Sequence, residues 1–310
     1  MRKVTIGLLG CGTVGGGFVR LLALERARIR ARFAIDLELK RILVRDVDRP
    51  RDVDRSLLTT SAVDVIDAGC DVIVELIGGT HSAGAYVRRA IDRGANVVTA
   101  NKALLSSAGR ELFAAAATRG VRIGFEASVC GGVPVVRALQ RGLAGDSIEA
   151  ITGILNGTCN FILTRMDAGA SYDEALRLAQ EHGLAEADPS LDVDGTDAAQ
   201  KLTILADLAF DQPLRRVTVT GIRGVDVRGA RHGGSVVRLV AEARRVAGGV
   251  ELTVGPRLLQ RSHPLAGITD ENNAVVIRGR AVGELMLSGK GAGSMPTAAA
   301  VLSDVIEVAA

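Results

Sequence analysis

The chain has 310 residues, which suits two domains with sound cores better than one. Its 47% hydrophobic and 24% charged residues are ordinary for a globular protein, and a net charge of +3, evenly spread, leaves no electrostatic footprint for nucleic acid or a membrane surface. Aromatic residues make up only 3%, with no Trp, which excludes base-stacking platforms and aromatic sugar clefts.

Met1-Arg-Lys leads directly into a strand pattern and no apolar run approaches membrane-spanning length, so a cytoplasmic protein is expected. Cys11, Cys70, Cys130 and Cys159 lack CxxC spacing, which indicates neither zinc nor a disulfide framework. Only five of the 38 basic residues are lysines. Three of these, Lys102, Lys201 and Lys290, fall inside motifs, where a compact, titratable ammonium is of use.

Val4–Leu9 reads as a buried parallel strand, followed at once by Gly10-Cys-Gly12-Thr13-Val14-Gly15 and a helical pattern through Phe18, Leu21 and Leu22. GxGxxG alone is a weak signal, but strand, motif and helix in succession form the context for a dinucleotide site. In that reading Gly10 makes the tight turn, Gly12 admits the pyrophosphate, Gly15 lets helix pack on strand, and the helix N-terminus attracts the phosphates. Further strands are expected at Leu37–Val44, Val72–Ile77, Val97–Ala100 and Arg122–Glu126. Their alternation with helical stretches predicts an α/β fold with a Rossmann-type doubly wound parallel sheet. The second strand ends at Val44-Arg45-Asp46. An acid there takes the ribose hydroxyl of NAD and an arginine favours the 2′-phosphate of NADP, so Arg45 tilts the expectation to NADP and Asp46 tempers it. Gly78-Gly79-Thr80 and Thr99-Ala-Asn101-Lys102 end two more strands, where such sheets line their ligand crevice.

After Glu126 the pattern changes. Ala127–Pro134 is a loop with two glycines, followed by a helix over Val135–Gly142 and a strand over Ile148–Leu155. Asn156-Gly157-Thr158-Cys159-Asn160 opens an amphipathic helix, and Tyr172–His182 is another. The loop from Glu186 to Asp194 then leads into a helix carrying Asp197 and Lys201 one turn apart, on one face. Carboxylates this crowded repel one another unless a cation or charged ligand compensates them. On a calcium-loop template Gly195 falls correctly, but the position that needs a bidentate Glu is Lys201, so that reading fails. Cys159 at a helix start raises a rival reading, a thioester-forming aldehyde dehydrogenase, although His81, His182, His232 and His263 include no obvious partner base. A non-enzymatic redox sensor that binds NAD(P) stays open as well. Val217–Leu287 alternates as several strands, and Ser288–Gly293 with the helix Thr297–Val308 reads as a return to the first domain.

Taken together, GCGTVGGG, VVTANKALL, FEASVCGGVP, GILNGTCNFIL, DGTDAAQKL and GKGAGSMPTAAAV, in this order over the whole chain, resemble homoserine dehydrogenases. The resemblance implies reduction of aspartate 4-semialdehyde to homoserine with NADPH or NADH, in a homodimer or larger homo-oligomer. It implies a nucleotide-binding domain at 1–130 and 288–310, and an α+β catalytic and dimerisation domain inserted at 131–287 before the C-terminal return helix. By the same resemblance Lys201 is the general acid/base, Asp197 its partner, and Lys102 sits over nicotinamide and substrate. Glu186, Asp192, Gly157 and Thr158 hold the substrate. Gly10, Gly12, Thr13, Val14, Gly15, Arg45, Thr80, Asn101, Lys102 and Gly291 hold the cofactor. Glu126, Val129, Gly131 and Val133 match a monovalent-cation site, sodium by expectation. The sequence ends at Ala310, without the C-terminal ACT-type domain or fused kinase of longer members, so no dedicated threonine site is expected.

Overall fold

Short runs rich in Val, Ile and Leu in the first half become the strands β1 (Arg2–Leu9), β2 (Ile35–Leu43), β3 (Leu58–Thr59), β4 (Val72–Glu75), β5 (Asn96–Thr99) and β6 (Ile123–Gly124). The computed structural model describes residues 1–310, with the side chains of all but residues 215, 231 and 232. All six strands pair in parallel, in the order β3-β2-β1-β4-β5-β6. The order reverses between β1 and β4, the point where doubly wound sheets bind their ligands. One face is covered by α1 (Thr13–Phe33) and α11 (Ser294–Ala309), through Phe18, Leu22, Val301 and Val305. The other is covered by α2 (Ala62–Ile66), α3 (His81–Asp92) and α4 (Lys102–Arg119), through Val65, Ile91, Leu104 and Leu112. Burial on both faces explains why these strands read as unbroken apolar runs.

Two strands end two residues earlier than their sequence pattern predicts. β4 stops at Glu75 because its carboxylate accepts the Ile77 and Gly78 amides, at 2.9 and 3.0 Å, and turns the chain out of the sheet. β6 stops at Gly124 because Phe125–Ser128 tightens into a turn, in which the Glu126 amide donates to Asp304 Oδ2 on α11. The two-residue edge strand β3 was too short to leave a sequence pattern.

The chain divides into two units, Met1–Gly132 with Gly293–Ala310, and Val133–Ala292. In the second unit α5 (Val135–Arg137) runs on as a π-turn to Gly142, and β7 (Ile148–Ile154) follows. Then come α6 (Gly157–Asp167), α7 (Tyr172–Glu181), α8 (Ser190–Val193) and α9 (Thr196–Ala209). The remaining elements are β8 (Leu214–Val219), α10 (Arg228–His232), β9 (Ser235–Val246), β10 (Gly249–Gln260), β11 (Asn272–Gly279) and β12 (Gly283–Lys290). They form a sheet of order β12-β11-β7-β9-β10-β8, antiparallel except between β10 and β8. Helices α6 and α9 pack on this sheet. Ser288–Lys290 completes β12, so the return to the first unit begins at Gly293, the last residue of the glycine run that suggested it.

Candidate active site

In the first unit β1 delivers the chain into the glycine turn, and α1 starts at Thr13 with no side chain capping its first amides. Those amides and the helix dipole are free to face an anion. A Cβ on Gly15 would stand 2.1 Å from the Gly10 carbonyl, so only glycine allows α1 to press against the turn. A Cβ on Gly12 would meet nothing within 4 Å. The backbone there is open to a close ligand, as a bound pyrophosphate requires. Gly12, Thr13 and Gly16 line a cavity of about 540 Å³, together with Arg20 on the same helix and Arg49 and Arg51 from the loop after β2. Arg51 Nη1 donates to the Asp46 and Arg49 carbonyls, at 2.7 and 2.9 Å, and folds that loop toward the cavity. Arg45 is exposed just past β2, outside this lining. In the sequence, Arg49 and Arg51 are marked only by the arginine-rich run Asp46–Arg55.

Glu75, fully buried, ties the next two strand ends together. Besides the two amides, it accepts the Thr99 hydroxyl at 2.6 Å, and Thr99 Oγ1 accepts the Asn101 amide at 3.0 Å. Asn101 caps α4 through the Leu104 amide and donates from Nδ2 to the Gly79 carbonyl at 2.6 Å. Thr80 opens α3 and half-buried Lys102 opens α4, so both sit on this truss. Three donors satisfy this buried side chain.

The second unit assembles the other group of expected residues at the junction of β7 and α6. Lys201 Nζ donates to Asp197 Oδ2 and to the Leu155 carbonyl, both at 2.8 Å. Asn156 Nδ2 donates to the same Asp197 oxygen at 2.8 Å and to Asp192 Oδ1 at 2.7 Å. Gly195, at φ +84°, makes the left-handed turn that starts α9 and aims Asp197 inward. Thr158 Oγ1 donates to the Leu184 carbonyl. Gly157 lies so close to the Glu271 backbone that a Cβ would stand 2.5 Å from its carbonyl oxygen. The acidic loop divides its labour: Asp188 accepts from Ser190 at the start of α8, Asp194 pairs with Arg223 at 3.0 Å, and Glu186 is exposed. Structural roles therefore absorb part of the acidity that drew attention in the sequence. Gly291 belongs to this unit too, pressed against the Asn273 amide.

Cys159 has no thiolate character. Burial, then the charges of Asp192 and Asp197, push its thiol well above the usual range, and Sγ donates to the Asp192 carbonyl at 3.2 Å. The helix start that suggested a low pKa is overruled by desolvation. His182 meets Phe161 edge-on, and His263 accepts the Leu265 amide; the His232 side chain lies outside the described residues. Among the described residues no group of three or more His, Cys, Asp or Glu side chains is placed for a metal. A cation held by carbonyls is a different kind of site. Glu126 and Val129 are buried, and Cys130 and Gly131 take φ of 54° and 37°, a consecutive left-handed turn that redirects the local carbonyls. Val133 opens the second unit.

A 3-2-1-4-5-6 parallel sheet with an open glycine turn, and a second unit holding a largely buried lysine among carboxylates, define a nicotinamide-dependent oxidoreductase. Comparison with known proteins narrows the class. The family model described as homoserine dehydrogenase matches residues 134–306, and that of its NAD-binding domain matches residues 10–126. A homoserine dehydrogenase of Bacillus subtilis is 43% identical over 99% of this chain and 73% of its own length. The crystal structure of a homoserine dehydrogenase from Thiobacillus denitrificans, 43% identical, superposes with a TM-score of 0.95 over 99% of this chain and 73% of that one. A hyperthermophilic archaeal homoserine dehydrogenase in complex with NADPH, 30% identical, superposes with a TM-score of 0.86 over 99% and 98% of the two chains. The chain belongs to the homoserine dehydrogenase family, and is an oxidoreductase acting on a CH–OH group with a nicotinamide-binding domain.

Proposed function

We propose that this protein interconverts L-aspartate 4-semialdehyde and L-homoserine in the cytoplasm, serving threonine and methionine biosynthesis, with Lys201 as general acid/base. The observation that carries the reading is the largely buried Lys201–Asp197 pair, the two side chains 12% and 8% exposed, in a cluster with Asn156 and Asp192. When bound, the nicotinamide supplies the hydride to the aldehyde carbon. The alkoxide that develops needs a proton or a positive charge, and the Lys201 ammonium offers both. Asp197, one turn away and on the same oxygen as Asn156, holds the ammonium in place and favours its charged form. In the reverse direction neutral Lys201 takes the proton of the homoserine hydroxyl. Glu186, Asp192, Gly157 and Thr158 are assigned to the amino-acid end of the substrate, and Lys102 to the cofactor and substrate.

NADPH is the preferred cofactor in this reading, with Arg45 joined by Arg49 and Arg51. What supports it is the guanidinium-lined cavity beside the glycine turn. Thr80, Asn101 and Gly291 are further cofactor contacts, and Glu126, Val129, Gly131 and Val133 would hold a sodium ion through carbonyl and carboxylate oxygens. A homodimer completes the proposal, to be checked by light scattering. Its support is the second sheet, whose exposed Val217, Val219 and Met286 suit burial against a second copy.

The decisive assay is homoserine-dependent reduction of NADP and NAD, run side by side on wild type and Lys201→Ala. The expected result is NADP-favouring turnover that falls by about 10²–10⁴ in the variant while NADPH still binds. Turnover in Lys201→Ala close to wild type would remove Lys201 from the mechanism.

A further inference from the structure

Lys201 pairs with Asp197, and a second carboxylate, Asp192, joins the same cluster from another segment through Asn156. Two carboxylates brought together repel unless donors separate them. The donor between them is Asn156, only 3% exposed. Its Nδ2 spans from Asp192 Oδ1 to Asp197 Oδ2, at 2.7 and 2.8 Å, and its Oδ1 accepts the Cys159 amide at 2.7 Å as the N-cap of α6. The cap fixes which way the amide points: an N–H donor can face only the oxygen, so the nitrogen must face the carboxylates. The preceding residue, Leu155, gives its carbonyl to Lys201. Two adjacent residues at the end of β7 thus grip both members of the ion pair.

We propose that Asn156 is a positioning residue for the reaction, a neutral double donor that holds Asp192 and Asp197 together and thereby sets both the place and the proton affinity of Lys201. The inference rests on the reading of Lys201 as the acid/base. The charged and titratable groups facing this centre in its unit include Asp197 on α9, Asp192 on α8, Asp194 with its partner Arg223, Cys159 on α6 and Tyr172 on α7. An additional negative charge at position 156 would favour the ammonium, and loss of the bridge would let Asp197 and the lysine drift.

Asn156→Asp and Asn156→Ser separate the bridge from the cap, because Asp and Ser are N-cap residues of similar strength to Asn. Both are measured for thermal midpoint, NADPH Kd, and kcat for semialdehyde reduction across pH, with Lys201→Ala alongside. Both variants should fold and keep NADPH Kd within about twofold, since the cofactor contacts assigned here lie in the other unit except Gly291, which is on a different segment from Asn156. Reduction kcat should fall by about 10- to 100-fold, the scale of a misplaced catalytic group. In Asn156→Asp the alkaline limb, where the ammonium is lost, should move up by about one pH unit. Wild-type kcat in both variants, or a fall with the alkaline limb unmoved in Asn156→Asp, reduces Asn156 to a helix cap and overturns the proposal. If Lys201→Ala itself keeps its turnover, the acid/base reading fails, whereas its loss beside wild-type Asn156 variants fails this inference alone.

Discussion

Lys201 and Asp197 stand one turn apart on α9 and meet at 2.8 Å, almost out of solvent. The same spacing on an exposed helix face is worth only a few tenths of a kcal/mol. Burial changes both the strength and the risk of the pair, because removing one partner strands a charge in a poor solvent. Asp197→Leu should therefore cost about 3 kcal/mol of stability, and the double variant Asp197→Leu/Lys201→Met less than the sum of Asp197→Leu and Lys201→Met. Urea unfolding of the four proteins checks this. Strict additivity would show that the pair behaves as a surface contact.

Cofactor choice should be felt more at Arg51 than at Arg45. Arg51 lines the cavity next to the glycine turn, whereas Arg45 lies outside that lining. Arg51→Ala is expected to weaken NADPH binding by about 1.5–3 kcal/mol, the scale of a charged hydrogen bond, and to leave NADH nearly unaffected. Arg51 also braces its own loop through the Asp46 and Arg49 carbonyls, so titration of both cofactors is needed. Equal weakening of the two would assign Arg51 to the loop alone.

The doubly wound sheet was legible because buried parallel strands and a glycine turn leave local patterns, apolar runs followed by punctuation. Lys201 and Asp197 were legible for the same reason, since four residues on a helix make one face. Asn156 was visible only as the first residue of a motif, because its partners lie 36 and 41 positions away. Glu75 was hidden for a related reason: the strand pattern ran on through it to Ile77, and nothing local marks a carboxylate as the acceptor for Thr99 across the sheet. Cys159 shows the opposite failure. Its local context, a helix start, points to a reactive thiolate, while its tertiary context, full burial beside two carboxylates, points to an inert thiol.

That inert thiol has a pH signature. The folded pKa of Cys159 is raised by burial above the unfolded value near 9.0, so the folded protein holds a proton that the unfolded chain releases. The native state then binds more protons, and stability falls as pH rises. Its contribution is complete below about pH 9 and is lost between the unfolded value and the higher folded one. Stability of wild type should decline more steeply above that value than stability of Cys159→Ala, as measured by denaturant midpoints. At neutral pH Cys159→Ala should keep turnover within about threefold of wild type, whereas loss of a catalytic nucleophile costs orders of magnitude. A large loss of turnover in a folded Cys159→Ala protein would restore the thiolate reading.

Glu75 gives the last test, because its carboxylate orders two loops at once. Glu75→Ala leaves the Ile77 and Gly78 amides and the Thr99 hydroxyl without their acceptor in a dry place, and unsatisfied buried donors cost about 1–3 kcal/mol each. Relaxation and water entry offset part of that, so a loss on the order of 3 kcal/mol is expected in denaturant unfolding. Glu75→Gln is the more informative change. Its oxygen can still accept the two amides, but its NH2 group faces Thr99, whose oxygen already accepts the Asn101 amide. The hydroxyl then loses its acceptor while the packing is kept. Stability should drop by only about 1 kcal/mol, the scale of one neutral hydrogen bond. NADPH affinity should fall several-fold, because Asn101 and Lys102 at the start of α4 are displaced together with the Gly79 loop that Asn101 holds. Isothermal titration of NADPH with Glu75→Gln, beside its unfolding curve, reads both quantities. Wild-type affinity in the folded variant would confine Glu75 to stability and separate the truss from cofactor binding.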